Sequence, residues 1–332
     1  MAFFSVDQTY WRPYEKEAAL KHLGEQVNQN NFDKADVLNW RFNTEAVNPH
    51  MLNEALSWEN QLPSSTNIIN PVNSFVYTDQ KEECFKKWEE EGISCPKSFA
   101  YQNREDFENK KFDYPYLIRI NDRATGENTY LIENDNDLET YFPKLEDEYH
   151  SLKRIGTKKI CVEFIDTSIE NGWKTSFRIH VAGNKVISGY GRISKDWLAI
   201  SSKFEENMKD VFVEQNKRVQ KLINENHDEI VRAVTCLGLH HQGLDVIADT
   251  SDKIYFLEVQ PFYFSGRKGL GGSDTLPPFW NPYKPQILVD WLIKEKLDLY
   301  KEIPLYYDNW LSKENHFDLC YKNLKEYFDV RS

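Results

Sequence analysis

The stretch from Gly243 to Pro261, GLDVIADTSDKIYFLEVQP, limits the possible folds more than any other part of the chain. Two runs rich in Val, Ile, Leu, Phe and Tyr flank the polar TSDK. That pattern predicts a β-hairpin with a loop of about four residues. Side chains alternate faces along a strand, so Glu258 and Gln260 share one face. Symmetric closure about the loop sets Asp245 opposite Glu258. One face then carries two carboxylates and an amide oxygen. Directly opposed carboxylates destabilise a sheet. A divalent cation reverses that sign, and three oxygen ligands with room for water and phosphate suit Mg²⁺. The simpler reading is a solvated sheet face with both acids in water, and the hairpin alone leaves both readings open.

The chain has 332 residues, enough for two domains or one large one. It is 40% hydrophobic and 28% charged, as globular proteins are. No apolar run is long enough to span a membrane. The start, MAFFSVDQTYWRPYEKE, lacks the basic segment and apolar core of a secretory signal. Five cysteines, at 84, 95, 161, 236 and 320, are scattered, with neither metal spacing nor a disulfide framework. A reducing cytoplasm is the expected location. The net charge of −12 argues against a large nucleic-acid footprint.

Along the chain, the first seventy or so residues are polar and Asn-rich, with one clear strand at ADVLNWRF. NQLPSSTNIINPVNS reads as a boundary loop. TDQKEECFKKWEEEGI reads as a helix, with Thr78 or Asp79 as its cap and Gly92 just past its end. PYLIRI and NTYLI read as paired strands. DNDLETYFPKLEDEY reads as a helix that Pro143 must bend or interrupt. KKICVEFI is a strand, and SFRIHVAGNKVISGYGRIS is a hairpin turning at Gly183-Asn184. Helix dominates from Phe204 to Leu237, and PQILVDWLIKEKLDLY is a further helix in the tail. Strands and helices interleaved with antiparallel hairpins predict an α+β fold, not a doubly wound parallel sheet. Neither G-x-G-x-x-G nor a Walker A motif is present.

Taken in order, several of these segments resemble the ATP-grasp superfamily over about residues 70 to 275. DQKEECFKKWEEEGISCPKSF resembles its opening helix, and YPYLIRI its phosphate-binding strand. CVEFID resembles the hinge strand that holds adenine. SFRIHVAGNKVISGYGRIS is similar to the arginine-bearing hairpin, and GLDVIAD…YFLEVQP to the metal-ligand hairpin. The resemblance implies two α+β subdomains clasping ATP, over residues 75–160 and 161–280. An N-terminal α/β segment (1–74) would precede them and a helical, aromatic extension (281–332) would follow. It implies that Lys81, Arg119 and Arg123 meet the phosphates. Glu163, Phe164 and Ile165 would meet adenine, and Arg178 and Arg192 would face the phosphates or the transferred group, with Arg267 of a later loop a further catalytic candidate. Asp245, Glu258 and Gln260 would hold Mg²⁺, or Mn²⁺ in its place. The sequence departs from the family in Arg119 for the commoner Lys, in Gln260 for Asn, and in a phosphate loop, NDRATGENTY, with the single glycine Gly126.

The implied activity is an ADP-forming ligase that activates a carboxylate as an acyl phosphate for attack by an amine. A phosphotransferase on the same scaffold and a nucleotide-binding protein without catalysis are the alternatives. The substrates would be small-molecule or peptide carboxylates and amines, with no nucleic acid or membrane, and family habit allows a homodimer. The loop SGRKGLGGSD, with Arg267 and Lys268, is either an acyl-phosphate or substrate carboxylate site or a surface loop. His240 and His241 are adjacent, a spacing that suits packing better than one metal ion. The tail aromatics PPFWNPY and IPLYYDNWL read as core or dimer contacts before substrate pocket.

Overall fold

The computed structural model describes residues 1–7, 11, 13–41, 49–123, 126–152, 156–198, 209–260 and 313–331. These build three four-stranded sheets, each flanked by helices. The N-terminal sheet holds β1 (Ala2–Asp7), β2 (Glu25–Gln26), β3 (Val37–Arg41) and β4 (Asn67–Ile69). All four run parallel in the order β2-β1-β3-β4. Helix α1 (Pro13–Leu23) links β1 to β2, and α2 (Pro49–Glu59) links β3 to β4. All of β3 is buried, as a parallel strand covered on both faces must be. Val37 joins a core with α1, whereas Leu38 and Trp40 pack with Ala55 of α2.

The middle of the chain gives α3 (Val76–Asp79), α4 (Lys81–Glu90), β5 (Ser98–Tyr101), α5 (Arg104–Lys110), β6 (Tyr116–Ile120), β7 (Thr129–Ile132), α6 (Asp135–Ser151) and β8 (Lys159–Glu163). The strands form an antiparallel sheet in the order β5-β8-β6-β7. The start of α4 differs from the sequence expectation. Its N-cap is Gln80, without a side-chain cap bond, and Thr78 instead donates to the Phe75 carbonyl. The open N–H of Glu82 is satisfied from a distance by Asn121 Oδ1, at 3.0 Å. Its end is as expected. Gly92, at φ +66°, donates to Glu89 and Ile93 donates to Trp88, the paired bonds of a Schellman turn. Pro143 sits inside the unbroken α6.

The third sheet holds β9 (Lys174–Ala182), β10 (Lys185–Ser194), β11 (His241–Ala248) and β12 (Ile254–Gln260), antiparallel in the order β10-β9-β11-β12. The β9–β10 hairpin turns at Gly183-Asn184, with Ala182 paired to Lys185. Helices α7 (Lys209–Glu225) and α8 (His227–Thr235) join one face of this sheet in a core that includes Phe177, Val246 and Phe256. Trp88 of α4 enters the same core and donates to the Ala233 carbonyl at 2.7 Å. The opposite face meets α9 (Lys313–Asp329) and the N-terminal sheet. Asn70, at φ +55°, ties that sheet to β11 by accepting from His240 N–H and His241 N–H and donating to the His241 carbonyl. Among the described residues, no helix is long and apolar enough to cross a membrane.

Candidate active site

A β-bulge sets the acidic hairpin. Strict alternation along β12 would point Glu258 the same way as Ile254 and Phe256, which are both in the core. The register instead shifts beside Asp245, where Val246 pairs with Phe256 but Asp245 pairs with Glu258. Leu257 is the extra residue. Beyond it Val259 takes the core side, while Glu258 and Gln260 take the face that carries Asp245. The turn is also one residue longer than TSDK, because Ala248 pairs with Ile254. Turn and bulge offset each other, so Asp245 faces Glu258 as symmetric closure indicated.

These opposed carboxylates are compensated by cations from three elements. Arg178 pairs with Asp245 across β9 and β11 and binds both of its carboxylate oxygens, with Nη2 to Oδ2 at 2.8 Å. Its Nη1 donates to Gln260 Oε1 at 3.1 Å, so one planar fork joins two of the proposed metal ligands. Arg192 Nη2 lies 3.5 Å from Asp245 Oδ1. Gln260 Nε2 donates to Glu258 Oε1 at 2.6 Å, and Lys81 Nζ is 2.8 Å from Glu258 Oε2. Lys81 also donates to the Arg123 carbonyl, which accepts from Arg119 Nη2 at 2.7 Å. One polar network therefore runs from α4 and β6 into the third sheet.

Burial alone would raise the Glu258 carboxyl. Lys81 in contact, with Arg178 and Arg119 behind it, overrides burial and holds Glu258 well below the usual carboxylate range. Burial lowers Arg119, with Glu258 and Asp122 opposing, yet a guanidinium stays charged. Four cations, Lys81, Arg119, Arg178 and Arg192, face two carboxylates. The surplus is positive and largely enclosed, and such a site favours a polyanion. The donors fit a hard divalent cation. Asp245 and Glu258 offer carboxylate oxygens, and Gln260 can offer an amide oxygen. Each carboxylate oxygen now accepts from Arg178, Lys81 or Gln260, so a bound ion would take the place of some of those bonds.

Other sequence-chosen residues sit differently. The Arg123 guanidinium, expected at phosphate, is held by Glu127 at 2.5 Å and Asn128 at 3.1 Å, and only its carbonyl joins the network. Glu163 closes the β8 ladder, and its carboxylate accepts from Lys97 N–H at 3.1 Å. Phe164 and Ile165 follow beyond that ladder, half-buried. Arg267, Lys268, the 265–274 loop, the proposed tail helix and the tail aromatics lie outside the described residues. His240 and His241 are packed. Burial pushes both imidazoles down to about 4, and His240 Nδ1 accepts from Asn70 N–H. Among the described residues, no group of three or more His, Cys, Asp or Glu is placed to hold a metal. The candidate set is therefore two carboxylates and an amide.

All five cysteines are free, and burial raises the thiols of Cys95 and Cys161 to about 12 and of Cys236 to about 11. Asn121 was not foreseen. It bonds Gln80 Oε1 and Glu82 N–H, and so fixes the start of the helix that carries Lys81. Its only signal in sequence is a polar residue directly after YLIRI.

No protein-family model matches the sequence. Among solved structures, the chain is similar to N5-carboxyaminoimidazole synthetase from Staphylococcus aureus, complexed with ADP. That match has a TM-score of 0.53 at 10% identity and covers 84% of this chain and 75% of the other. It is similar also to L-amino acid ligase from Bacillus licheniformis, with a TM-score of 0.51 at 15% identity over 85% and 72%. The chain has the ATP-grasp fold. Among curated proteins, the chain is similar to coenzyme gamma-F420-2:alpha-L-glutamate ligase of Methanocaldococcus jannaschii, 26% identical over 200 residues. The match covers 58% of this chain and 61% of the relative, so the chain aligns with about three fifths of that relative's length.

Proposed function

We propose that the chain is an ATP- and Mg²⁺-dependent ligase that activates a carboxylate for attack by an amine. The observation that carries this reading is the bonded network that joins Lys81 and Arg119 to Arg178, Arg192, Asp245, Glu258 and Gln260. Lys81 of α4 and Arg119 of β6 hold the phosphates. Backbone groups at Glu163, Phe164 and Ile165 hold adenine where the chain passes between sheets. Asp245, Glu258 and Gln260 hold the metal. When bound, Mg²⁺ neutralises phosphate charge. Arg178 and Arg192 orient the substrate carboxylate and stabilise charge on the transferred phosphoryl group. A carboxylate oxygen bonds to the terminal phosphorus as ADP leaves. The amine then bonds to the acyl carbon, phosphate leaves with the electron pair of the broken C–O bond, and the amine proton passes to solvent.

The curated relative and the Bacillus licheniformis protein are both ligases by name, which supports a ligase over a phosphotransferase. The test is ADP release by pure protein against panels of carboxylates and amines. ADP formation that needs both partners supports the reading. A stable phosphorylated product from a single hydroxyl acceptor would overturn it.

A further inference from the structure

The candidate metal ligands offer two oxygens each from Asp245 and Glu258 and one from Gln260, and every one of them is already engaged by a protein donor. Arg178 takes three. Its Nε and Nη2 bind the two Asp245 oxygens, and its Nη1 binds Gln260 Oε1. Gln260 Nε2 donates to Glu258 Oε1, and Lys81 Nζ pairs with Glu258 Oε2. The backbone register sets Arg178 directly beside Asp245 on the neighbouring strand, so β9 and β11 bring the guanidinium to the acid. Lys81 reaches Glu258 from the start of α4, which Asn121 fixes. The chain's own donors thus stand where a divalent ion would bind.

Charge points the same way. Lys81, Arg119, Arg178 and Arg192 outnumber Asp245 and Glu258, so the cluster is positive before any ligand enters. A bare dication would add to that excess inside a largely enclosed site, where like charges repel strongly. It would also have to displace charge-assisted hydrogen bonds, which are the strong ones. A triphosphate reverses both effects. Its negative charge offsets the excess. Its oxygens accept from the same donors, so Lys81 and Arg178 can exchange carboxylate for phosphate. The vacated carboxylate oxygens then face a metal that arrives on the phosphates.

We propose that Arg178 and Lys81 are internal counter-ions that close the metal site, so that the chain takes up a divalent ion only together with the nucleotide that draws them away. This rests on the nucleotide site of the ligase reading. The contact is autoinhibitory toward metal alone. It keeps the opposed carboxylates of the hairpin compensated in the nucleotide-free protein, and it makes metal uptake conditional on phosphate. The test uses the full chain with Mn²⁺ as the probe, read by loss of the free-ion EPR signal. ATP·Mg²⁺ binding to the wild type is measured by calorimetry in parallel.

Without nucleotide, the wild type should bind no Mn²⁺ up to about 1 mM, a range in which even weak carboxylate sites take divalent ions. The double variant Arg178→Met/Lys81→Met strips the counter-ions and keeps the ligands. It should bind Mn²⁺ without nucleotide at least about tenfold more tightly than that limit, the worth of one charged hydrogen bond, and Mn²⁺ should raise its melting temperature. Lys81→Met alone leaves the Arg178 fork in place. It should gain Mn²⁺ binding to a smaller extent, and it carries the test if the double variant does not fold. Adding Glu258→Gln to Lys81→Met should abolish the gain, which assigns the ion to this hairpin. Mn²⁺ that binds the nucleotide-free wild type as tightly as the variants would overturn the proposal and leave the nucleotide site standing. So would a folded variant that ignores Mn²⁺ as the wild type does, or a gain that survives Glu258→Gln. A wild type that fails to bind ATP·Mg²⁺ would refute the ligase reading itself.

Discussion

Asp245→Asn separates a charged nucleotide site from a solvated sheet face. The Asp245 side chain is 13% exposed, and its partners Arg178 and Arg192 are 8% and 13% exposed. Removing one member of a buried pair costs about 3–5 kcal/mol, because the other charge is left uncompensated. Asparagine keeps one oxygen for Arg178, and Gln260 still accepts from the same guanidinium, so about 2–3 kcal/mol is the working figure. In a chain of this size each kcal/mol moves the melting temperature by about 2 °C, so calorimetric melting should fall by about 4–6 °C. The same change raises the positive surplus of the cluster. ATP without Mg²⁺ should then bind more tightly than to the wild type, and added Mg²⁺ should no longer help. A shift below about 1 °C, the size expected for a surface substitution, together with unchanged Mg²⁺ dependence, would refute the reasoning.

Lys81→Met removes the contact partner of Glu258 and a proposed phosphate donor. ATP affinity should fall at least about tenfold by titration calorimetry, the worth of one charged hydrogen bond. Acid should destabilise the fold through His240 and His241. Their imidazoles take protons below about 6.5 when unfolded, but only near 4 when buried. Between those values the unfolded chain holds more protons, so stability falls as pH drops from about 6.5 towards 4. Urea midpoints at successive pH values should show this slope, and His241→Asn should flatten it. Asn70→Ala should cost about 2–4 kcal/mol in urea unfolding, from three lost bonds to the backbone of His240 and His241 and a left-handed backbone. Asn70→Gly keeps the bond loss but relieves the backbone, and should cost about 1 kcal/mol less than Ala. Equal losses would contradict the role of φ at this position.

Local chemistry made much of the third sheet readable. Gly183-Asn184 marks a hairpin turn, and alternation marks its arms, so β9 and β10 needed no distant information. The facing of Asp245 and Glu258 was readable too, but by compensation, because the longer turn and the bulge at Leu257 offset each other. A bulge has no sequence signature strong enough to see in advance. The N-terminal parallel sheet was mostly hidden. Its strands β2 and β4 have only 2 and 3 residues, and their pairing is set by non-local packing. The cap of α4 is hidden for a related reason, since the acceptor for its open Glu82 N–H, Asn121 Oδ1, lies 39 residues away. Arg123 shows the limit for side chains. Position in a loop suggested a phosphate contact, but Glu127, four residues on, holds its guanidinium.

The central claim is that the network around Glu258 is a metal-dependent nucleotide site. The measurement that tests it most directly is ATP titration calorimetry, with and without Mg²⁺, on the wild type and Glu258→Ala. The account predicts Mg²⁺-dependent binding that the substitution weakens at least about tenfold, as expected when a charged ligand group is removed from an enclosed site. Binding that is absent under every condition, or equal in the two proteins, would contradict it.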